Sequence, residues 1–229
     1  MTISRIFSLL TNKKDYFMGK YTFKTIARIA VICVIIGTSN FILLSSIAAL
    51  LYPGGYKYFE YVFSDLGRVK AFNNEYNLMS STVFSFTVVT TALLQIPFWL
   101  VIRHFFTQSG FEKKMSSFGS FLGLTTVFIQ VGIAFFPIDT EELIHAIFAQ
   151  SFFLLTGFSI LIYSIIIFQN GNYNRSYAYT GFFISLAVIL FILGIYGFLQ
   201  AFMQKMIVYS YVIWILIQAY NIWIRSSIC

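Results

Sequence analysis

Residues 29–52 read IAVICVIIGTSNFILLSSIAALLY, a run of 24 residues without a charged side chain. A helix needs about 20 mostly apolar residues to cross the ~30 Å hydrocarbon core of a bilayer. The run is therefore long enough to span a membrane. It is also too long for the apolar region of a cleavable signal peptide, which has about 7–15 residues, so we expect a retained helix.

Five further apolar runs follow, and the six candidate spans cover approximately 29–52, 78–102, 118–136, 143–168, 177–199 and 207–224. The chain is 59% hydrophobic and 10% charged, whereas a soluble domain is about 45–50% apolar and about 25% charged. This composition excludes a cytosolic enzyme and a nucleic-acid-binding domain. Because the runs are continuous rather than alternating, a membrane β-barrel is also excluded. The sequence predicts an all-α, polytopic bundle of six transmembrane helices.

The Lys and Arg residues predict the orientation of this bundle. With the N-terminus inside, 11 of the 15 basic residues lie in inner segments, as the positive-inside rule requires. Six of them fall within a basic N-terminal segment, residues 1–28, which we expect to be cytoplasmic. Residues 29–229 would form a single transmembrane domain in the cell membrane, with both termini in the cytoplasm.

The first outer loop is the longest loop of the predicted bundle. Within it, Phe59, Val62, Phe63 and Leu66 recur at the i, i+3, i+4, i+7 spacing of one helix face. This pattern predicts a short amphipathic helix that lies on the membrane surface.

Polar and charged side chains are concentrated in two segments on the predicted outer side. The candidate site residues are Ser64, Asp65, Arg68, Asp139, Glu142 and His145. A carboxylate and an imidazole that meet in one outer pocket could form an acid–base pair, a cation site or a proton-sensitive latch.

Each of these groups also has a purely structural interpretation. Asp65 and Arg68 stand at i, i+3 and could simply pair. Asp139 before Glu142 is typical of a capping box at the start of a helix. His145 could hydrogen-bond a neighbour near the membrane interface.

Within the spans, the polar side chains are mainly amides and hydroxyls, without ionisable groups at the centres. Interhelical hydrogen bonding is the favoured interpretation of these amides over a substrate path; they are Asn40, Gln95, Gln130, Gln150 and Gln218. Glycines at four positions indicate close helix packing; they are Gly119, Gly123, Gly194 and Gly197.

The two histidines argue against a metal or haem centre. His104 is predicted inside and His145 outside, about 30 Å apart across the membrane. They cannot share a tetrahedral zinc site or ligate one haem. We therefore expect no metal and no cofactor.

Four short motifs carry a resemblance to a known family. They are Tyr52-Pro53-Gly54, Val62 to Gly67 (VFSDLG), Gly132 to Asp139 (GIAFFPID) and His145 to Ala149 (HAIFA). They resemble the hallmarks of a prokaryotic membrane family known as domain of unknown function 998. The resemblance implies a six-helix fold with a shared outer-face site, and it implies no activity.

Two functions from different classes remain open. The favoured one is a non-enzymatic transporter, or a protein that binds a lipid or small ligand in an outer-face pocket. The alternative is an interfacial enzyme, a hydrolase or transferase of lipid head groups, that uses Asp65, Asp139 and His145 with Ser64. Expected partners are membrane lipids and, for a shared path, a second copy of the chain, but no nucleic acid.

Overall fold

The computed structural model describes residues 20–228, and within them the fold is a bundle of six α-helices with three short 3₁₀ helices. Five helical segments are long and apolar enough to cross a membrane, and the fifth α-helix is shorter, with 17 residues. The chain is a multi-pass helical membrane protein. The helices are α1 (Lys20–Leu50), α2 (Leu78–Ile102), α3 (Gly110–Phe135), α4 (Glu142–Gln169), α5 (Ser176–Ile192) and α6 (Gln200–Ile228).

The predicted basic segment divides into two parts. Residues 20–28 belong to α1, which therefore begins earlier than the apolar run itself. Residues 1–19, with Arg5, Lys13 and Lys14, lie outside the described residues. The cytoplasmic location of this segment stays a prediction.

Close packing around α3 fixes the centre of the bundle. A Cβ added at Gly123 would lie 2.2 Å from the Trp99 ring of α2, and one at Gly119 would lie 3.0 Å from the Tyr163 ring of α4. Trp99 and Tyr163 are both fully buried. The interpretation of these two glycines as helix-packing positions is confirmed.

Gly194 and Gly197 have a different role from the predicted one. Both have positive φ, 69° and 51°, and an added Cβ at either would meet no atom of the described residues within 4 Å. They form the turn that ends α5 at Ile192, because glycine enters the left-handed region without a steric penalty. The packing interpretation was wrong at these two positions.

The prediction of a surface helix in the first loop is also wrong. The loop, residues 51–77 (the long loop), contains instead a five-residue 3₁₀ helix, Phe63–Gly67, whose first four residues are buried. Leu66 is fully buried, and the Phe63 ring packs edge-on against Phe41 of α1. Burying such side chains fully is worth about 1.5–3 kcal/mol each, so they insert between the helices rather than lie on the surface.

Contacts between loops define the two ends of the bundle. The long loop, the 136–141 turn and the start of α6 meet at one end, which we call the long-loop end. There the backbone N–H of Val69 donates to Asp139, and that of Phe63 donates to Gln204. At the opposite end, Asn170 donates to Glu112 over 3.0 Å.

Candidate functional site

A cavity of about 90 Å³ lies in the interior of the bundle near the long-loop end. Side chains from α1, α2, α3, α4 and α6 and from the 3₁₀ helix line it; α5 contributes none of them. Much of the wall is apolar, with two threonines and six further polar side chains. Those six are Ser64, Gln95, Gln130, His145, Gln204 and Tyr211. We call this space the central cavity.

His145 lies one turn inside α4 and is almost completely buried. Its Nδ1 is 2.7 Å from the carbonyl oxygen of Phe136. That carbonyl is free because α3 ends at Phe135, with residue 136 extended before Pro137, as proline requires of its predecessor. A carbonyl can only accept, so we assign the ring proton to Nδ1.

The other ring nitrogen of His145 is left without a partner. Nε2 is buried and hydrogen-bonds no group among residues 20–228. In the neutral ring with the proton on Nδ1, Nε2 is an acceptor. His145 thus brings to the wall of the central cavity a buried acceptor without a partner among these residues.

Asp65 lies in the 3₁₀ helix and is engaged on both oxygens. Oδ2 accepts the backbone N–H of Val62 over 2.8 Å, and Oδ1 accepts from Arg68 over 3.2 Å. Burial raises the pKa of Asp65, although the Val62 N–H, Arg68 and Lys205 all favour the charged form. The alternative of an i, i+3 pair with Arg68 is confirmed, and no hydrogen bond joins Asp65 to His145 within the described residues.

A comparison with known protein families finds one family that matches the chain. The family model for "Protein of unknown function (DUF998)" matches residues 35–224. The chain belongs to the DUF998 family. The matched range includes the long loop and the start of α4, so the resemblance drawn from the sequence motifs is confirmed. No curated protein and no solved structure matches the chain significantly.

In this DUF998 chain, Asp139 fastens the long loop to the 136–141 turn. Its two carboxylate oxygens accept the backbone N–H groups of Val69 and Lys70, over 3.0 and 2.9 Å. The predicted capping box does not form, because the N-cap of α4 is Glu141 and no side chain within residues 20–228 caps the helix. Glu142 is exposed and takes no part in the site.

The structure therefore separates the six predicted site residues into four groups. Ser64 and His145 line the central cavity. Asp65 and Arg68 pair within the buried 3₁₀ segment beside it. Asp139 holds the long loop from the 136–141 turn, and Glu142 is exposed outside the site.

Lys205 is a buried residue of the site that the sequence did not single out. It lies in α6 and is 1% exposed. Its ammonium donates to the carbonyl oxygens of Tyr61 and Ala201. The rings of Tyr56, Tyr58 and Phe63 surround it, with centroids 5.0 to 5.4 Å away. Lys205 thus attaches the long loop to α6 through one hydrogen bond and three cation–π contacts.

Several polar side chains of the spans join neighbouring helices. Tyr211 of α6 donates to Gln95 of α2. The Gln130 amide of α3 donates to the Val88 carbonyl of α2 over 3.3 Å, and Asn40 of α1 donates to a threonine of α2. The interhelical interpretation is confirmed for these three amides.

The two remaining amides and the second histidine lie elsewhere. Gln150 is exposed on α4. Gln218 is buried, and both polar atoms of its amide are unpartnered within residues 20–228. His104 lies at the opposite end, edge-on to Phe23 of α1. The described part of the chain contains no group of three or more His, Cys, Asp or Glu side chains placed to hold a metal.

Proposed function

We propose that this protein binds a small amphipathic molecule in the central cavity and acts as a non-enzymatic binding or transport protein. The observation that carries this proposal is the buried, unpartnered Nε2 of His145 in the cavity wall. Leaving a buried polar group without a hydrogen bond costs about 1–3 kcal/mol. A molecule that brings a hydroxyl or N–H group to this nitrogen recovers that free energy.

The cavity walls indicate the chemistry of this molecule. The lining is divided between polar side chains, among them His145 and Ser64, and apolar ones such as Phe84, Val88 and Phe152. This division suits a molecule with a small polar head and an apolar body. A cavity of about 90 Å³ is smaller than the roughly 150 Å³ that accommodates benzene, so it holds the head and only the beginning of the body.

The enzyme hypothesis has one observation in its favour, since Ser64 and His145 line the same cavity. An acid–base mechanism on lipid head groups would also need a carboxylate free to act. The four carboxylate oxygens of Asp65 and Asp139 already accept hydrogen bonds from the long loop. The contacts therefore favour binding over catalysis.

A cavity-filling variant tests binding directly. The purified protein would be analysed by mass spectrometry for molecules released on denaturation. Ala149→Leu fills the cavity and His145→Ala removes the acceptor, whereas Gln150→Leu changes an exposed position on the same helix. We expect a molecule in about equal amount with the wild-type protein. The first two variants should reduce it about tenfold, as a loss of roughly 1.4 kcal/mol would, and Gln150→Leu should retain it.

Two outcomes would overturn the proposal. One is the same set of released molecules from all four proteins. The other is a wild-type protein that releases nothing while Ala149→Leu unfolds at a higher temperature, because filling a dry void stabilises a bundle. Elution volume on size exclusion checks that each variant is folded.

The membrane orientation is part of this proposal. We place the long-loop end outside the cell and both termini in the cytoplasm, because basic residues such as Arg103, Lys113 and Arg175 lie toward the opposite end. Membrane lipids are the proposed partners, and a homo-oligomer stays a prediction. A cysteine introduced in place of Lys57 or Glu141 should react with an impermeant thiol reagent added from outside. If a cysteine in place of Lys113 reacts instead, the orientation is the reverse.

A further inference from the structure

Two apolar voids lie between α5 and α6, outside the central cavity. Their volumes are about 390 and 230 Å³, and Phe183, Ile184 and Ser210 line both of them. They are therefore neighbouring parts of one depression, which we call the α5–α6 groove.

A smaller void lies between the α5–α6 groove and the central cavity. This void, of about 30 Å³, shares Ile184 and Ile207 with the groove. On its other side it shares Phe153 and Tyr211 with the central cavity. The three spaces follow one another from the outer surface of α5 and α6 to the interior, separated only by side chains.

The side chains along the groove show which solvent it faces. Phe183 is 71% exposed and Ile213 is 58% exposed, and both stand in apolar helices of a membrane protein. Large apolar side chains exposed at such positions face hydrocarbon rather than water. Whatever fills the α5–α6 groove therefore comes from the bilayer.

The long loop separates the central cavity from water at its own end. Phe63 and Ser64 of the 3₁₀ helix line the cavity there. The loop is tied to α6 by the Phe63 N–H to Gln204 bond and by Lys205, and to α2 by Ser80, which donates to the Leu66 carbonyl. Access from this end would break several buried hydrogen bonds.

The α5 helix is attached mainly to α4. Ser185 donates to the Gly157 carbonyl over 3.1 Å, and Gly181 packs against Ser164. Toward α6, the described residues show one hydrogen bond from helix to helix, from Gln200 to the Phe191 carbonyl at the end of α5. Along the rest of the α5–α6 groove, the two helices can separate without breaking a hydrogen bond.

We propose that the ligand is a single-chain lipid-like molecule that reaches the central cavity sideways from the bilayer, between α5 and α6. Its small head, a hydroxyl or an amine, donates to Nε2 of His145, and its hydrocarbon chain lies in the α5–α6 groove. This inference rests on the proposed binding function and names its ligand class. It also explains how a cavity too small for a whole lipid can hold one end of it.

A photoreactive probe tests the route. The protein in phosphatidylcholine vesicles would be irradiated with a long-chain alcohol that carries a diazirine in mid-chain, and cross-linked peptides would be located by mass spectrometry. We expect cross-links concentrated at Ser210 and neighbouring groove residues. Ile184→Trp, which blocks the connecting void, and His145→Ala should each reduce them about tenfold.

The matched control is Ile189→Trp, an equal enlargement at an exposed position on α5 away from the groove, which should leave the cross-links unchanged. If Ile184→Trp fails to fold, Ser210→Phe obstructs the groove instead. Cross-links to cavity residues that persist in the blocked variant would overturn the lateral route and leave binding intact. Cross-links spread evenly over all lipid-facing helices, insensitive to His145→Ala, would overturn both.

Discussion

The contacts of α3 and those between α5 and α6 show two kinds of helix packing in one bundle. Gly123 and Gly119 bring α3 so close to its neighbours that a single added carbon would collide with Trp99 or touch Tyr163. Between α5 and α6, by contrast, voids of about 390 and 230 Å³ remain open. We infer that the α3 side is a fixed scaffold and that the α5–α6 side is where the bundle can admit a molecule.

The long loop belongs to the fixed side of this comparison. Its backbone is held by Asp139 from the 136–141 turn, by Ser80 from the start of α2 and by Gln204 and Lys205 from α6. A loop with so many contacts is a stable cover of the central cavity at this end. This contrast is the reason why we place the opening in the membrane rather than in water.

The largest effect is expected at Gly123. Gly123→Ala puts a methyl group where the buried Trp99 ring now lies, and such overpacking costs about 1–3 kcal/mol. Thermal unfolding followed by tryptophan fluorescence in detergent should show a clear drop in melting temperature. Gly110→Ala, at a glycine with nothing within 4 Å of the added carbon, is the control and should unfold like wild type. Equal melting temperatures for all three proteins would refute the fixed scaffold.

Asp139 should show the next largest effect, confined to the long loop. Asp139→Ala releases the N–H groups of Val69 and Lys70, and we expect the free energy of local opening to fall by about 1 kcal/mol. Trypsin cleavage after Lys70 should then become about five times faster. Glu142→Ala removes a nearby exposed carboxylate without a loop contact and should not change the rate. Similar rates in both variants would mean that Asp139 does not hold the loop.

The pH dependence of stability should show a smaller effect from Asp65. Because burial raises its pKa, the folded chain binds this proton more tightly than the unfolded chain. Stability should therefore rise as the pH falls from neutral through the folded-state pKa, and level off below the ordinary aspartate pKa of about 4. Melting temperatures measured across this range should show the rise in wild type and less of it in Asp65→Asn. A wild-type protein that acid destabilises more than Asp65→Asn would contradict the burial argument.

The smallest effect is expected in the α5–α6 groove. Ser210→Leu adds two heavy atoms to an open space, so the free energy of unfolding should change by less than about 0.5 kcal/mol. In the same thermal assay, Ser210→Leu should lower the melting temperature less than Gly123→Ala does, although it adds more atoms. A strong destabilisation by Ser210→Leu would show that the groove is closed in the membrane.

The sequence predicted the features of this fold that depend on long apolar runs, such as α1 and α2, because the bilayer imposes their length. It placed the end of the fifth span near residue 199, whereas α5 ends at Ile192. The turn that follows depends on the positive φ angles of Gly194 and Gly197, and these lie within an otherwise apolar stretch of sequence. It also placed Phe63 and Leu66 on the membrane surface. Helical spacing shows that residues share a face but cannot show whether that face meets lipid or other helices.

The candidate site was predictable in its position and only partly in its contacts. Ser64 and His145 were expected on one side of the membrane, and they line one cavity. From the sequence alone, Lys205 resembles any other loop charge, because its partners Tyr61 and Tyr56 lie far away in the sequence. A lysine beside an apolar run, in a chain whose first loop is rich in tyrosine, was the signal that could have suggested a buried ammonium.

A crystal structure of the protein grown from a lipid mesophase, at a resolution that shows ordered waters, is the sharpest test of lateral binding. We expect density within about 2.6–3.2 Å of His145 Nε2, continuing past Ile184 into the α5–α6 groove. A central cavity closed by side chains, with Nε2 paired to a protein group, would contradict it.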